Sequence, residues 1–309
     1  MHPFRFAVQL SNAPSGPAWR QVARKVEGLG YSTLFIPDHF EDQFGPLVAL
    51  TVAAEATSTL RVGTLVLGND YRHPVVLAKE VATLDLLSEG RVEFGLGAGW
   101  MTTDYRQAGI DEDPAGVRIS RLEESLAVLR SLWTEPVTSF EGDHYTITGA
   151  VGTPKPVQQP HPPIIIGGGG RRVLSFAGRE ADIVGVNPSL AAGHIGAEVI
   201  ATTAPEYYDE RVGWIREAAG DRFDQIELQV LTFMVQIVPD RDEAIGRLAQ
   251  LLSVDPEVAA GSPVALIGTV EEIIETLQER RRRFGFSYVV VHEAEMEAFA
   301  PVVAALAGT

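Results

Sequence analysis

Short apolar runs alternate along this chain with longer stretches of helical spacing. The runs are FRFAVQL (4–10), STLFIP (32–37), RVGTLVL (61–67), RVEFGLG (91–97), PIIIGG (163–168), DIVGV (182–186), IELQVLTFMVQIV (226–238) and SYVVVH (287–292), eight in all. Helices are predicted near 17–29, 46–58, 74–88, 115–133, 171–180, 206–220, 240–253, 269–284 and 295–306. The runs are apolar throughout rather than alternating, the pattern of parallel strands covered on both faces. Eight strands, each followed by a helix, predict an α/β fold closed as a (β/α)8 TIM barrel rather than an open doubly wound sheet. The helix over 269–284 opens on a capping box, Thr269 with Glu272, and ends on Arg280 to Arg283, a run that reads as a solvated helix end. The rhythm breaks at 134–162, rich in Pro, Gly and Thr, which predicts an excursion between strands four and five. A second irregular stretch, 187–205, follows strand six. Long excursions in a compact domain are often lids or binding loops. One domain over 1–309 is expected.

Composition narrows the chemistry. The 309 residues are 45% hydrophobic and 21% charged, enough for a large core. No run reaches membrane-spanning length and the start MHPFRFAVQL lacks the pattern of a leader, so a cytoplasmic protein is expected. The absence of cysteine excludes disulfides, thiolate nucleophiles and iron–sulfur clusters. A net charge of −16 argues against nucleic-acid or anionic-membrane partners. Of the 25 basic residues only Lys25, Lys79 and Lys155 are lysines, and none lies in a strand-like run, which counts against Schiff-base chemistry.

In such a barrel the chemistry sits at the carboxyl ends of the strands. Those ends carry Gln9, Pro37 to Phe40, Leu65 to Leu67, Gly97 to Trp100, Gly167 to Gly170, Asn187, the neighbourhood of Gln236, and His292 with Glu293. This sparse polar set suits a flat, largely apolar ligand. In IIIGGGGRR a strand runs through bare glycines into a helix, an anion site in which a bound phosphate would offset Arg171 and Arg172 in the first turn. GLGAGW lacks the spacing of a dinucleotide fingerprint; its glycines read as a surface for ring approach walled by Trp100, or else as close packing of a strand end. His39 beside Asp38 is the leading acid–base pair, and His292 with Glu293 a second. His73 before Pro74 reads as helix entry. No H-x-H or H-E-x-x-H occurs, and no metal site is expected.

Three blocks, EGLGYSTLFIPDHF (27–40), RVGTLVLGNDYRHPVVLAKEVATLDLLSEGRVEFGLGAGW (61–100) and PPIIIGGGGRRVLSFAGREADIVGVNP (162–188), carry a resemblance. The chain resembles the luciferase-like monooxygenase superfamily and, within it, the oxidoreductases that use the deazaflavin coenzyme F420. The resemblance implies a bacterial-luciferase-like barrel with a cofactor ring across the strand ends and a bulge with a non-proline cis peptide at Leu65–Val66. It places the cofactor phosphate at Gly168, Gly169, Gly170 and Arg171, sets Asp38 and His39 beside the ring, and brings Ala98 and Gly99 close to it. In the sugar-phosphate dehydrogenases of the superfamily a glutamate acid stands where this chain has Trp100, so an apolar or conjugated substrate is expected instead.

The implied activity is hydride transfer between coenzyme F420 and a small molecule, with His39, tuned by Asp38, moving the proton, and with Phe40 and Trp100 shaping the substrate pocket. The alternative within the superfamily is an FMN-dependent monooxygenase served by a separate reductase. A non-catalytic flavin-binding barrel and a lyase or isomerase without a redox cofactor complete the field. Relatives in the superfamily are often homodimers, and a homodimer is expected.

Overall fold

The computed structural model describes residues 2–252 and 254–309. The eight principal strands are β1 (Arg5–Gln9), β2 (Thr33–Ile36), β3 (Arg61–Thr64, resuming at Leu67–Gly68), β4 (Val92–Gly97), β5 (Ile164–Gly168), β6 (Ile183–Val186), β7 (Glu227–Leu231) and β8 (Phe286–His292). They hydrogen-bond in the order β3–β2–β1–β8–β7–β6–β5–β4, and β3 also pairs with β4, which closes the sheet as a (β/α)8 barrel. Every residue of β2, β4 and β6 is buried, as expected for strands covered on both faces.

The chain divides into two compact units. One holds the start of the chain through Leu10, Lys25–Thr33 and Gly167–Thr309; the other holds Ser11–Arg24 and Leu34–Ile166. Within the first, β1 and β8 run in parallel register from Arg5 opposite Tyr288 to Gln9 opposite His292. Within the second, β4 meets β5 from Phe94 opposite Ile164 to Leu96 opposite Ile166.

The nine predicted helices form, the one over 240–253 as Arg241–Leu252, with Ser253 outside the described residues. Several expectations are corrected. The run 226–238 is not one strand: β7 stops at Leu231, and Met234–Ile237 pairs instead with Ala265–Gly268 in a separate two-stranded sheet. That pair has its own apolar cluster, which includes Ile245, Leu248, Ala259 and Ile267, so it needs no place in the main sheet. The excursion at 134–162 contains an antiparallel hairpin, Thr138–Glu141 with Thr146–Ala150. Its tip is tied down by Glu124, whose carboxylate accepts the backbone N–H groups of Asp143, His144 and Tyr145. The stretch 187–205 includes a short helix, Ala197–Ile200.

The Thr269–Glu272 capping box is present. Arg280, however, is no solvated helix end. It is buried, and its guanidinium donates to the carbonyls of Ser262, Pro263 and Ala265.

The departure from regular pairing between β3 and β4 matters most for the site. Gly63 lies opposite Glu93, yet Leu67 lies opposite Leu96, so β3 carries one residue more than its partner across the gap. Leu65–Val66, inside that gap, is a cis peptide bond. Here the Thr64 hydroxyl replaces the ladder: it accepts from Gly95 N–H at 2.9 Å and donates to Gly95 C=O at 2.8 Å. A buried backbone group left without a partner costs about 1–3 kcal/mol. Thr64→Val, of the same shape, strands both Gly95 groups and is predicted to lower unfolding stability by roughly 2–5 kcal/mol, while Thr64→Ser keeps most of it. Urea denaturation checks this, and a loss below about 1 kcal/mol for Thr64→Val would refute the stitching role.

Candidate active site

Within the second unit, β2 delivers His39 and β4 leads into a short helix, Thr102–Ala108, that carries Asp104 in its first turn. A carboxylate there is favoured by the helix dipole. Asp104 is buried, 1% exposed, and its charge is met by three donors. His39 Nδ1 lies 2.6 Å from Oδ2, the Phe40 N–H donates to Oδ1 at 3.2 Å, and the Tyr71 hydroxyl donates to Oδ2 at 3.4 Å. Burial raises the Tyr71 phenol far above its ordinary range, reinforced by Asp104 and other neighbours, so it acts as a neutral donor.

The expected pairing of His39 with Asp38 is corrected. Asp38 turns instead to Arg72, which grips both its oxygens at 2.5 and 3.0 Å, and it accepts the Gly68 N–H at 2.9 Å. Neighbours in sequence need not share a direction, and a buried carboxylate takes the guanidinium fork when one is within reach. Asp104 is the partner that sequence reading missed. Its signal lay in MTTDYRQAG, a short helix ended by Gly109 in the left-handed region.

Around this pair stand aromatic rings. Trp100 meets the His39 ring edge-on, with centroids 5.6 Å apart. Phe40, 46% exposed, packs on Tyr71 at 4.9 Å, and Tyr71 packs on Tyr105 at 5.7 Å.

The glycines of GLGAGW are filled from within the protein rather than left bare. A Cβ on Gly95 would stand 2.0 Å from the Thr64 carbonyl oxygen, one on Gly97 would stand 2.7 Å from Val66, and one on Gly99 would stand 2.0 Å from the Tyr105 hydroxyl. Close packing of the strand end therefore accounts for these three residues. His73 caps the helix Pro74–Leu87 and accepts from Val75 N–H, as its place before proline predicts.

Within the first unit, β5 ends at Gly168 and Gly170 caps the helix Arg171–Glu180, which has neither a side-chain cap nor an acidic residue in its first turn. Gly168 and Gly169 are required by packing, since a Cβ would stand 2.4 Å from Val173 and 2.2 Å from the Pro188 carbonyl oxygen respectively. Gly170 is not: its φ is −101° and, its chain neighbours apart, no protein atom lies within 4 Å of where a Cβ would be. Arg171 is exposed and pairs with Glu217 at 3.2 Å. The buried Arg211, which sequence reading did not single out, braces the turn by donating to the Gly169 carbonyl at 3.2 Å and the Thr202 carbonyl at 2.9 Å. His292 ends β8, half-buried, and burial holds its imidazole below the ordinary histidine range.

Among the described residues no group of three or more His, Asp or Glu could hold a metal ion, and no helix is long and apolar enough to cross a membrane.

Comparison with known proteins places the chain. It is 34% identical over 170 residues to an F420-dependent glucose-6-phosphate dehydrogenase of Amycolatopsis mediterranei, covering 52% of this chain and 50% of that one. It is 30% identical over 207 residues to an FMNH2-dependent dimethylsulfone monooxygenase of Pseudomonas putida, covering 67% of this chain and 53% of the relative. The chain thus spans about half the length of these two curated relatives. The fold matches the coenzyme F420 dependent tetrahydromethanopterin reductase of Methanopyrus kandleri with a TM-score of 0.77 at 20% identity, covering 99% of this chain and 98% of that one. The sequence model of the luciferase-like monooxygenase family matches residues 1–254, so the chain belongs to that family.

Proposed function

We propose that the protein transfers a hydride between coenzyme F420 and an uncharged, apolar or conjugated small molecule, with His39 moving the accompanying proton. The observation that carries this reading is the contact of His39 Nδ1 with the buried Asp104 carboxylate. A carboxylate beside Nδ1 fixes the tautomer with the hydrogen on that nitrogen and leaves Nε2 to take or give a proton. Asp104, already met by three donors, is in no position to act as a base itself.

When bound, the deazaflavin supplies the hydride donor or acceptor. The chain does the rest. Trp100 and Phe40 would wall the substrate and keep water from the His39 proton. Ala98, Gly99 and the Leu65–Val66 bond would lie along the ring, and Asp38 would stiffen that surface through Gly68 and Arg72. At the β5 end, the helix start without a side-chain cap and the open space at Gly170 fit a phosphate.

Two arginines of the surrounding segments are engaged by carboxylates: Arg72 with Asp38, and Arg121 with Asp70 and Asp113. That, with Trp100 in place of an acid, favours an uncharged substrate. The likeness to the dimethylsulfone monooxygenase supports a second reading, an FMN-dependent monooxygenase served by a separate flavin reductase. A cytoplasmic homodimer belongs to either reading.

The deciding experiment is titration of cofactor-free protein with F420 and with FMN, followed by ligand fluorescence. F420 is expected to bind at least about tenfold tighter, a difference of about 1.4 kcal/mol. The reverse preference selects the monooxygenase, and binding of neither removes both. Gly170→Ala, which puts a poorer cap at the helix start, is predicted to lower the melting temperature slightly and to weaken cofactor binding about tenfold; unchanged affinity would move the phosphate elsewhere. His39→Gln should lower kcat by roughly 10²–10⁴ with cofactor affinity retained, and Asp104→Asn should follow it in direction. Steady-state kinetics with the turned-over substrate check this, and a His39→Gln enzyme of full activity would remove the proton role.

A further inference from the structure

Two short segments meet beside His39, and each supplies one phenol and one carboxylate. The turn Asn69–Tyr71 brings Asp70 and Tyr71; the helix Thr102–Ala108 brings Asp104 and Tyr105. They are cross-bonded. Tyr71 donates to Asp104 at 3.4 Å, and Tyr105 donates to Asp70 at 2.9 Å. The two rungs use adjacent residues on both segments, so neither can shift without moving the other.

The second rung is the better anchored. Tyr105 is 1% exposed, and its hydroxyl also accepts from Arg118 Nη1 at 3.2 Å. Its one hydrogen goes to Asp70, so the Ala98 carbonyl at 3.4 Å is a contact only. Asp70 gives its other oxygen to Arg121 at 2.7 Å, and Arg121 also holds Asp113. Arg118 and Arg121 stand one turn apart on the long helix Ala115–Thr134, so the rung ends on a rigid element. Gly99 is bound into the same arrangement: its φ is +75°, and a Cβ there would strike the Tyr105 hydroxyl.

We propose that Tyr105, held by Arg118 and by Asp70, which Arg121 anchors in turn, is a positioning residue that fixes Asp104 against His39 Nδ1 and sets the Ala98–Gly99 turn. The proposal rests on the reading of His39 and Asp104 as the reacting pair. It does not depend on which cofactor binds.

The test uses the full chain with Tyr105→Phe, which keeps the ring and removes the hydroxyl, and Asp70→Asn, which weakens the same bond from the other side. The readout is the downfield proton NMR signal of the His39 Nδ1–H, assigned by its loss in His39→Gln. Both variants are expected to move that signal upfield and, once a substrate is in hand, to lower kcat roughly ten- to hundredfold with little change in KM. Asp70→Glu, which restores the charge, should bring part of the signal back. An unmoved signal in both variants, with only the melting temperature reduced, would reduce the rung to a structural brace and overturn the proposal. A wild-type protein without such a signal would overturn it too. Failure of F420 and FMN to bind, with the signal moving as expected, would remove the cofactor reading and leave the positioning role standing.

Discussion

A parallel sheet buried on both faces must satisfy every backbone donor and acceptor within itself, and in this protein the departure from that pattern between β3 and β4 organises the site. One extra residue in β3 breaks the ladder, and the Thr64 hydroxyl takes over both backbone groups of Gly95. Val66 fills the room left by Gly95 and Gly97. Pairing resumes only at Leu67 and Gly68, so the turn with Asp70 and Tyr71 begins directly at the strand end, followed by Arg72. Asp38 finds the Gly68 N–H and Arg72 there, and Asp104 finds Tyr71. Regular pairing through the gap would offset this turn by a residue and break all three contacts.

Three carboxylates around the candidate site, Asp38, Asp70 and Asp104, illustrate how charge is divided. A buried carboxylate without partners costs several kcal/mol, so each must have dedicated donors. Asp38 has the Arg72 fork and Asp70 has Arg121, partners that stay charged at any ordinary pH. No arginine reaches Asp104 in the contacts seen; its donors are an imidazole, a backbone N–H and a neutral phenol. Of the three, the carboxylate without a guanidinium partner is therefore the one beside His39. This division separates a carboxylate that supports the frame, Asp38, from one that orients the imidazole, Asp104. The order Asp38–His39 in the sequence conceals it.

The barrel was legible because the strands are apolar at nearly every position, and only a sheet covered on both faces makes that pattern stable. Caps were legible for a similar reason: Thr269 with Glu272 and His73 before Pro74 act on their own neighbours. What failed was pairing at long range. The run 226–238 is continuous in hydropathy but belongs to two sheets, because its second half has a separate partner in 265–268. Arg280 reads as a helix-end cation, yet it serves carbonyls 15 to 18 residues earlier. His39 and Asp104 are 65 residues apart, and no local rule joins them. The resemblance pointed to the cis bond at Leu65–Val66, whereas spacing alone gave no sign of it.

The glycines make the same distinction in a form that bears on function. Both GLGAGW and GGGG look in sequence like bare backbone prepared for a ligand. In the first, Gly95, Gly97 and Gly99 are each demanded by a protein atom that would overlap a side chain, so their presence says nothing about what binds. In the second, Gly168 and Gly169 are demanded in the same way, but Gly170 has an ordinary φ and empty space where a side chain would go. A side-chain cap would serve the helix better than glycine does at that position, since Ser, Asp and Asn satisfy a backbone donor that Gly170 leaves open. Gly170 is thus the position in the run at which a substitution tests a ligand with least disturbance of the packing.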